Sequence, residues 1–398
     1  MSNNEVLEQI REIVVKKYGH LLLSDSEDEI VDVIRKETRR IIGHNDPELE
    51  EEVVAYLIGL GPADKYLRDP EVNEIMINGP NDIYIEKDGI IQKTDCSYMN
   101  EEEVLNVLFR IVQRCGRKIN FSSPLVDARL PDGSRVNAII PPAAPYPTIT
   151  IRKFTTKTFT TTDLLKQNFM TAEMADFFST IVRGKANIVV AGATGCGKTT
   201  FIRWMCNFIP PEERLITIED TRELQLDHPH CISLEVSDKA DVYKLMINAL
   251  RMRPDRIILG EVRGAEAFEL LQAMGTGHEG SITSVHSNYG KMAAVHRLVR
   301  AMVKVGGVTA EELEAMVAET IDILVFVKRF SDGARRIVHV SQMESDRGKP
   351  VFRDIFRYSH LSGKHERVGV ISEELAERLR ENILEDLPQV VTGGGKVG

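Results

Sequence analysis

Residues 1–60 carry apolar positions at helical spacing: Val6, Ile10, Ile13 and Val14, then Ile30, Val31, Val33 and Ile34, then Val53, Val54 and Leu57. Each set recurs every three or four residues among charged ones, which predicts amphipathic helices packed as a small bundle. Near residue 70 the period changes. Glu74-Ile75-Met76-Ile77 and Ile83-Tyr84-Ile85-Glu86 read as short strands, separated by the turn residues Asn78-Gly79-Pro80-Asn81-Asp82. Helical spacing returns through Val104, Leu105, Leu108, Phe109 and Val112, and the stretch Asp127 to Asn137 predicts a hairpin around Pro131-Asp132-Gly133. This mixture predicts an α+β domain. Pro141-Pro142-Ala143-Ala144-Pro145-Tyr146-Pro147 breaks regular structure and predicts the junction to a second domain, with Thr148 to Phe154 strand-like behind it.

Beyond residue 183 the strand-like runs 187–191, 214–219, 256–260 and 281–285 alternate with the helical stretches 199–208, 241–253 and 264–274. That alternation predicts an α/β nucleotide-binding core. A helix over Ala310 to Val317 follows, then strands 323–327 and 336–340 joined through Ser331-Asp332-Gly333, a terminal helix over 372–387 and a mobile tail at Gly393-Gly394-Gly395. The expected organisation is a helical region at 1–65, an α+β domain at 66–145, a linker at 146–160, an α/β domain at 161–390 and a tail at 391–398.

The chemistry begins at Gly192-Ala193-Thr194-Gly195-Cys196-Gly197-Lys198-Thr199-Thr200, directly after the apolar run Asn187 to Ala191. A strand that opens into a glycine-rich turn ending in Gly-Lys-Thr is a phosphate loop. Its glycines let backbone amides close round a phosphate, Lys198 reaches the β and γ oxygens, and the Thr199 hydroxyl holds Mg²⁺. Turnover needs further polar groups, and three other strand ends offer them. Asp255-Arg256-Ile257-Ile258-Leu259-Gly260-Glu261 ends in Glu261, with Gly260 where an aspartate commonly precedes it. Leu215 to Glu219 is followed by Asp220, Thr221 and Arg222, and Ser281 to Val285 is followed by His286. Glu261 and Glu219 are candidates for orienting water or holding Mg²⁺, and the pattern does not divide the role of base between them. His286 is a candidate γ-phosphate sensor. Arg222, Arg253 and Arg263 near these strands, and Arg129, Arg135 and Arg152 in the first domain, are candidate phosphate cations, although surface solvation alone accounts for any single arginine.

Composition narrows the classes. With 60 acidic against 50 basic residues the formal charge is −10, which gives a nucleic-acid motor no support. The longest apolar runs fall short of the roughly 20 residues that cross a bilayer. The cysteines Cys96, Cys115, Cys196, Cys206 and Cys231 have no zinc spacing and read as reduced thiols, with Cys196 inside the phosphate loop as a point where oxidation would obstruct a nucleotide.

Taken together, the boxes GATGCGKTT, TIEDTREL, RMRPDRIILGEVRG and TGHEGSITSVHS, with SPLVDARLPDGSRVNAI and TITIRKF upstream, resemble the secretion ATPases of the type II/type IV superfamily, particularly CpaF-like proteins of Tad/Flp pilus assembly. The resemblance runs from about Val72 to Val340. It implies a RecA-like ATPase domain preceded by an α+β domain, ATP bound between the two with Mg²⁺, a homohexamer, and partners among the cytoplasmic portions of inner-membrane pilus or secretion platform proteins. It matches Lys198 and Thr199 to nucleotide and metal contacts, Glu219 to an acidic-box glutamate, Glu261 to the Walker B glutamate and His286 to the histidine box. Arg129, Arg135 and Arg152 match candidates for phosphate or inter-subunit contacts. Cys196 stands where the family more often has serine. The alternatives are a conjugative or effector type IV secretion ATPase, a DNA-translocating RecA-like ATPase, and a nucleotide-gated adaptor without turnover.

Overall fold

The computed structural model describes residues 3–18, 27–87, 89–154, 158–237, 239–383 and 386–392. The chain divides into two units, Met1–Thr155 and Thr156–Gly398.

The first unit opens with helices α1 (Asn3–Tyr18), α2 (Glu27–Ile42) and α3 (Pro47–Ile58). Ile10, Val14, Ile30, Ile34, Val53 and Val54 are buried together, so the apolar stripes are satisfied by one another. Asp46 caps α3 by accepting from the Leu49 N–H, with Pro47 at the first helical position. Glu50, on the buried side of α3, accepts two hydrogen bonds at 2.7 Å from the Arg39 guanidinium of α2.

A short helix α4 (Asp64–Arg68) leads into β1 (Val72–Ile77), β2 (Ile83–Lys87), β3 (Ile90–Lys93), helix α5 (Glu101–Arg114), β4 (Leu125–Arg129), β5 (Arg135–Ile139) and β6 (Thr148–Arg152). Among the described residues these strands form an antiparallel sheet in the order β3-β2-β1-β6-β5-β4. Val104, Leu108 and Ile111 of α5 pack on Ile75, Ile77, Ile149 and Ile151. The expected linker at 146–160 is corrected here. Residues 148–152 are β6, hydrogen-bonded on both sides to β1 and β5, so the proline-rich stretch before it is the loop of a hairpin inside the first unit. Residues 155–157 of the expected linker lie outside the described residues.

The second unit contains α6 (Thr161–Lys166), α7 (Ala172–Arg183), β7 (Ile188–Gly192), α8 (Lys198–Cys206), β8 (Leu215–Glu219), β9 (Cys231–Glu235), α9 (Val242–Ala249), β10 (Arg256–Val262), α10 (Glu266–Gly275), β11 (Ile282–His286), α11 (Lys291–Met302) and α12 (Ala310–Thr320). It ends in β12 (Ile323–Arg329), β13 (Arg335–Asp346), β14 (Lys349–Ser359), β15 (Lys364–Arg367), α13 (Glu373–Ile383) and α14 (Gln389–Thr392). The sheet order among the described residues is β15-β14-β13-β12-β7-β11-β10-β8-β9. The strands from β12 to β9 in that order pair in parallel, and β13 to β15 extend the sheet as antiparallel hairpins.

Parallel strands covered on both faces are near-continuous apolar runs, and β7 and β8 are fully buried, with Thr217 and Glu219 the polar residues of β8. Alternation divides their side chains between two layers. Ile188 and Val190 join α7, α8 and α13 around Phe177, Phe178, Phe201 and Trp204. Val189 and Ala191 join α9 to α12 on the other face. Val391 of α14 is buried, so the chain is still packed where the tail was expected to begin, and residues 393–398 lie outside the described residues.

Candidate nucleotide site

β7 stands at the centre of the sheet, between β11 and β12, and the chain leaves it to form β8 beyond two intervening strands. A crevice at the carboxyl ends of such strands is where open α/β sheets bind ligands, and the phosphate loop lies there. Gly195 and Gly197 have φ of +70° and +99°, a region that side chains disfavour. Gly192 is required for a different reason: a Cβ there would stand 2.4 Å from the Val327 carbonyl oxygen and 2.6 Å from the Cys196 sulfur. Lys198 Nζ donates to the carbonyls of Gly192 and Ala193 at 3.0 and 3.1 Å, which holds the ammonium across the loop. Thr199 and Thr200 open α8, half-buried, at the loop's end. Thr194 is exposed.

Cys196 is fully buried, and burial pushes its thiol up, so the expectation of an oxidation point in the loop is not met: the sulfur faces the core as a neutral thiol.

Register brings the other strand ends to the same edge. His286 is the direct partner of Gly192, and its Nδ1 lies 3.3 Å from the Thr194 hydroxyl. Glu219 ends β8 almost wholly buried. Its Oε1 accepts from the N–H groups of Glu223 and Leu224, both at 3.0 Å, whereas Oε2 is buried without a hydrogen-bond partner. Burial pushes this carboxyl up to about 7, against the opposing pull of those two amides.

Gly260 explains where that side chain fits. A Cβ at Gly260 would stand 3.2 Å from Glu219 Cγ, so the space in which a side chain of β10 would project is taken by the carboxylate-bearing chain of β8. An aspartate before Glu261 would press its Cβ against Glu219. Ser284 Oγ of β11 donates to the Gly260 carbonyl at 2.7 Å and closes this part of the sheet. Glu261 points its Oε2 to Arg263, which donates from Nη2 at 2.8 Å and Nε at 3.2 Å, and the same guanidinium pairs with Asp220 beyond β8. Arg263 therefore ties together the ends of β10 and β8.

The structure does not bring every candidate to this edge. Arg253 sits before β10, at the amino end of a strand whose carboxyl end carries Glu261, so within one chain it stands on the far side of the sheet from the phosphate loop. Arg222 is exposed in the loop whose amides hold Glu219. In the first unit Arg129, Arg135 and Arg152 are register partners across β4, β5 and β6, one row of cations that ends on Glu74 of β1. Sequence reasoning missed Arg335, whose Nε donates to the Gly195 carbonyl at 2.9 Å. The signal available was the pair of cations flanking the Ser331-Asp332-Gly333 turn.

A polyphosphate with Mg²⁺ fits these groups. The glycine cradle and Lys198 would supply donors, and Thr199, Glu219 and Glu261 are the oxygen-bearing side chains that would hold Mg²⁺, which takes one or two such ligands beside substrate phosphates. The orphaned Oε2 of Glu219 is a buried acceptor with capacity to spare.

Residues 57–366 match the family model described as Type II/IV secretion system protein. The chain is 30% identical over 282 residues to the conjugal transfer protein TrbB of Rhizobium radiobacter, covering 69% of this chain and 85% of that protein. It is 30% identical over 323 residues to the type IV secretion system protein VirB11 of Bartonella quintana, covering 70% and 90%. A solved structure of the pilus retraction motor PilT with bound ADP shares the fold, with a TM-score of 0.50 at 16% identity over 80% of this chain and 85% of that one. The RecA-like fold expected from the sequence is the fold observed, and the chain belongs to the Type II/IV secretion system protein family.

Proposed function

We propose that the protein is a Mg²⁺-dependent homohexameric ATPase, peripheral to the cytoplasmic face of the inner membrane, that powers assembly of a Tad/Flp-type pilus or secretion across the cell envelope. The observation that carries the reading is the convergence of Lys198, Glu219, Glu261 and His286 at the carboxyl ends of β7, β8, β10 and β11. Backbone amides of the loop and Lys198 hold the β and γ phosphates, and His286, through Thr194, reports on the γ position. When bound, Mg²⁺ offsets phosphate charge and draws electrons from the bond that breaks. Glu261, fixed by Arg263, orients the attacking water. Glu219, with its value near neutrality, takes up a proton at working pH. Arg222 belongs to the reading as a cation for the phosphate, and Arg129, Arg135, Arg152 and Arg253 as cations for the phosphate of a neighbouring subunit.

A conjugative or effector secretion system is the second reading, favoured by the likeness to TrbB and VirB11 over about two thirds of the chain. In either case the partners are cytoplasmic portions of membrane proteins, and no described helix is long and apolar enough to cross a membrane. Light scattering with and without Mg²⁺-ATP tests the assembly. A particle of about six subunits is expected, and a monomer that binds nucleotide under every condition contradicts it.

A further inference from the structure

A loop with glycines at 192, 195 and 197 has little conformational preference of its own, so contacts must fix the direction of its peptides: Lys198 holds the Gly192 and Ala193 carbonyls from within, and the Gly195 carbonyl is held from outside. The β12–β13 hairpin is placed to hold it. Val327 of β12 pairs with Gly192 and packs its backbone against the glycine, so the hairpin leaves the sheet alongside the start of the loop. Two residues on, Arg329 pairs directly with Arg335 across the hairpin mouth. The turn between them is tight: Phe330 N–H donates to the Ala334 carbonyl at 2.8 Å, and Asp332 accepts from Ala334 N–H at 2.9 Å. The Arg336 guanidinium lies over the Phe330 ring, 4.8 Å from its centre, which fixes the turn from the outside.

Both hairpin arginines reach the loop. Arg335 Nε donates to the Gly195 carbonyl at 2.9 Å, and its Cδ is 3.4 Å from the position a Cβ would take on Gly197. Arg329 Nη1 is the nearest atom to the corresponding position on Gly195, at 3.7 Å. A trans peptide points its carbonyl and its N–H in opposite directions, so holding the Gly195 carbonyl also sets the Cys196 N–H, which here makes a long 3.4 Å bond to the Ala193 carbonyl.

We infer that Arg335 is a positioning residue that holds the phosphate loop in its anion-binding form through the Gly195 carbonyl, and that Arg329 adds a cation to the polyphosphate site from within the same chain. This rests on the nucleotide-binding reading of the loop. Arg335 acts through a directed N–H, and a glutamine places its amide nitrogen the same number of bonds from the backbone as Arg335 Nε. Arg329 acts through charge, which lysine keeps and glutamine does not.

The test is ADP binding by the full chain, measured by titration calorimetry for wild type, Arg335→Ala, Arg335→Gln, Arg329→Gln and Arg329→Lys, with circular dichroism to confirm folding. Arg335→Ala is expected to weaken binding about tenfold, and Arg335→Gln to restore most of it. Arg329→Gln is expected to weaken binding about fivefold at low ionic strength, with the deficit shrinking as salt rises, and Arg329→Lys to bind near wild type. If Arg335→Ala binds as wild type does, or Arg335→Gln binds no better than a weakened Arg335→Ala, the positioning role is overturned. Equal binding by Arg329→Gln and wild type at low salt overturns the charge role. Should Arg335→Ala or Arg329→Gln fail to fold, Arg335→Leu and Arg329→Met take their places as donor-free and charge-free side chains of similar bulk, and binding by Arg335→Leu equal to that of Arg335→Gln, or by Arg329→Met equal to that of Arg329→Lys, overturns the corresponding role. A wild type that binds no ADP or ATP overturns the underlying reading of the loop, which is a separate failure.

Discussion

Glu219 brings a carboxylate into the interior of the sheet and leaves one oxygen there without a partner. Its carboxyl titrates near 7 in the folded protein and near the ordinary glutamate value of 4.5 when unfolded. Between those values the folded chain binds the proton that the unfolded chain has released. This residue's effect on stability is therefore most favourable below about pH 4.5 and worsens as pH rises, levelling off above 7, a change of about 3 kcal/mol. Relative to Glu219→Gln, wild type should lose about 2 kcal/mol between pH 5.5 and 8 without nucleotide, read from urea midpoints. A constant difference between the two proteins would mean that the carboxyl is solvated. Gly260 belongs to the same arrangement: Gly260→Asp sets a second acid against Glu219 Cγ and should cost about 1–3 kcal/mol and lower turnover at least tenfold. A variant with full turnover would show that Glu219 does not occupy that space. Residue chemistry of this kind was half legible. The sequence puts Glu219 at a strand end, but its burial depends on the amides of Glu223 and Leu224 folding back, and the reason for Gly260 lies on a neighbouring strand rather than in its own.

Strands buried on both faces were the easiest elements to read, because Ile188 to Ala191 has no polar position and Leu215 to Ile218 only Thr217, too little for another period to rest on. The hairpin of β13 and β14 was harder. β14 alternates exposed Lys349, Val351 and Arg353 with half-buried partners at its start, and only its second half, around Ile355 and Phe356, enters the core. The proline-rich loop before β6 misled for a related reason: Pro141 to Pro147 breaks local structure as expected, yet long-range pairing of β6 with β1 keeps it inside one sheet. At the amino end of the second unit's sheet, Arg256 is wholly buried. It donates to Glu213 from Nε at 2.6 Å and Nη2 at 2.9 Å, and to the Val182 carbonyl from Nη1 at 2.5 Å, so it joins β10 to the end of α7 and the loop before β8. Glu213→Ala strands that guanidinium without its carboxylate and should cost about 3–5 kcal/mol. A shift under about 1 kcal/mol in urea unfolding would show that water reaches Arg256.

For the molecule as a whole, a net charge of −10 sets it apart from proteins that track nucleic acid by charge, and the Arg129–Arg135–Arg152 row is a local gathering of cations within that acidic whole. The two units have separate cores, and the convergence of four strand ends lies wholly within the second. If ATP turnover is the work of that edge, it depends on Glu261 after binding is complete. The most direct measurement is steady-state phosphate release from Mg²⁺-ATP by wild type and Glu261→Gln, with ATP binding measured on the same preparations. Turnover in wild type, reduced at least a hundredfold in the variant while ATP affinity stays within about threefold, is the predicted result. Equal turnover in the two proteins, or ATP binding without turnover in assembled wild type, would contradict the account.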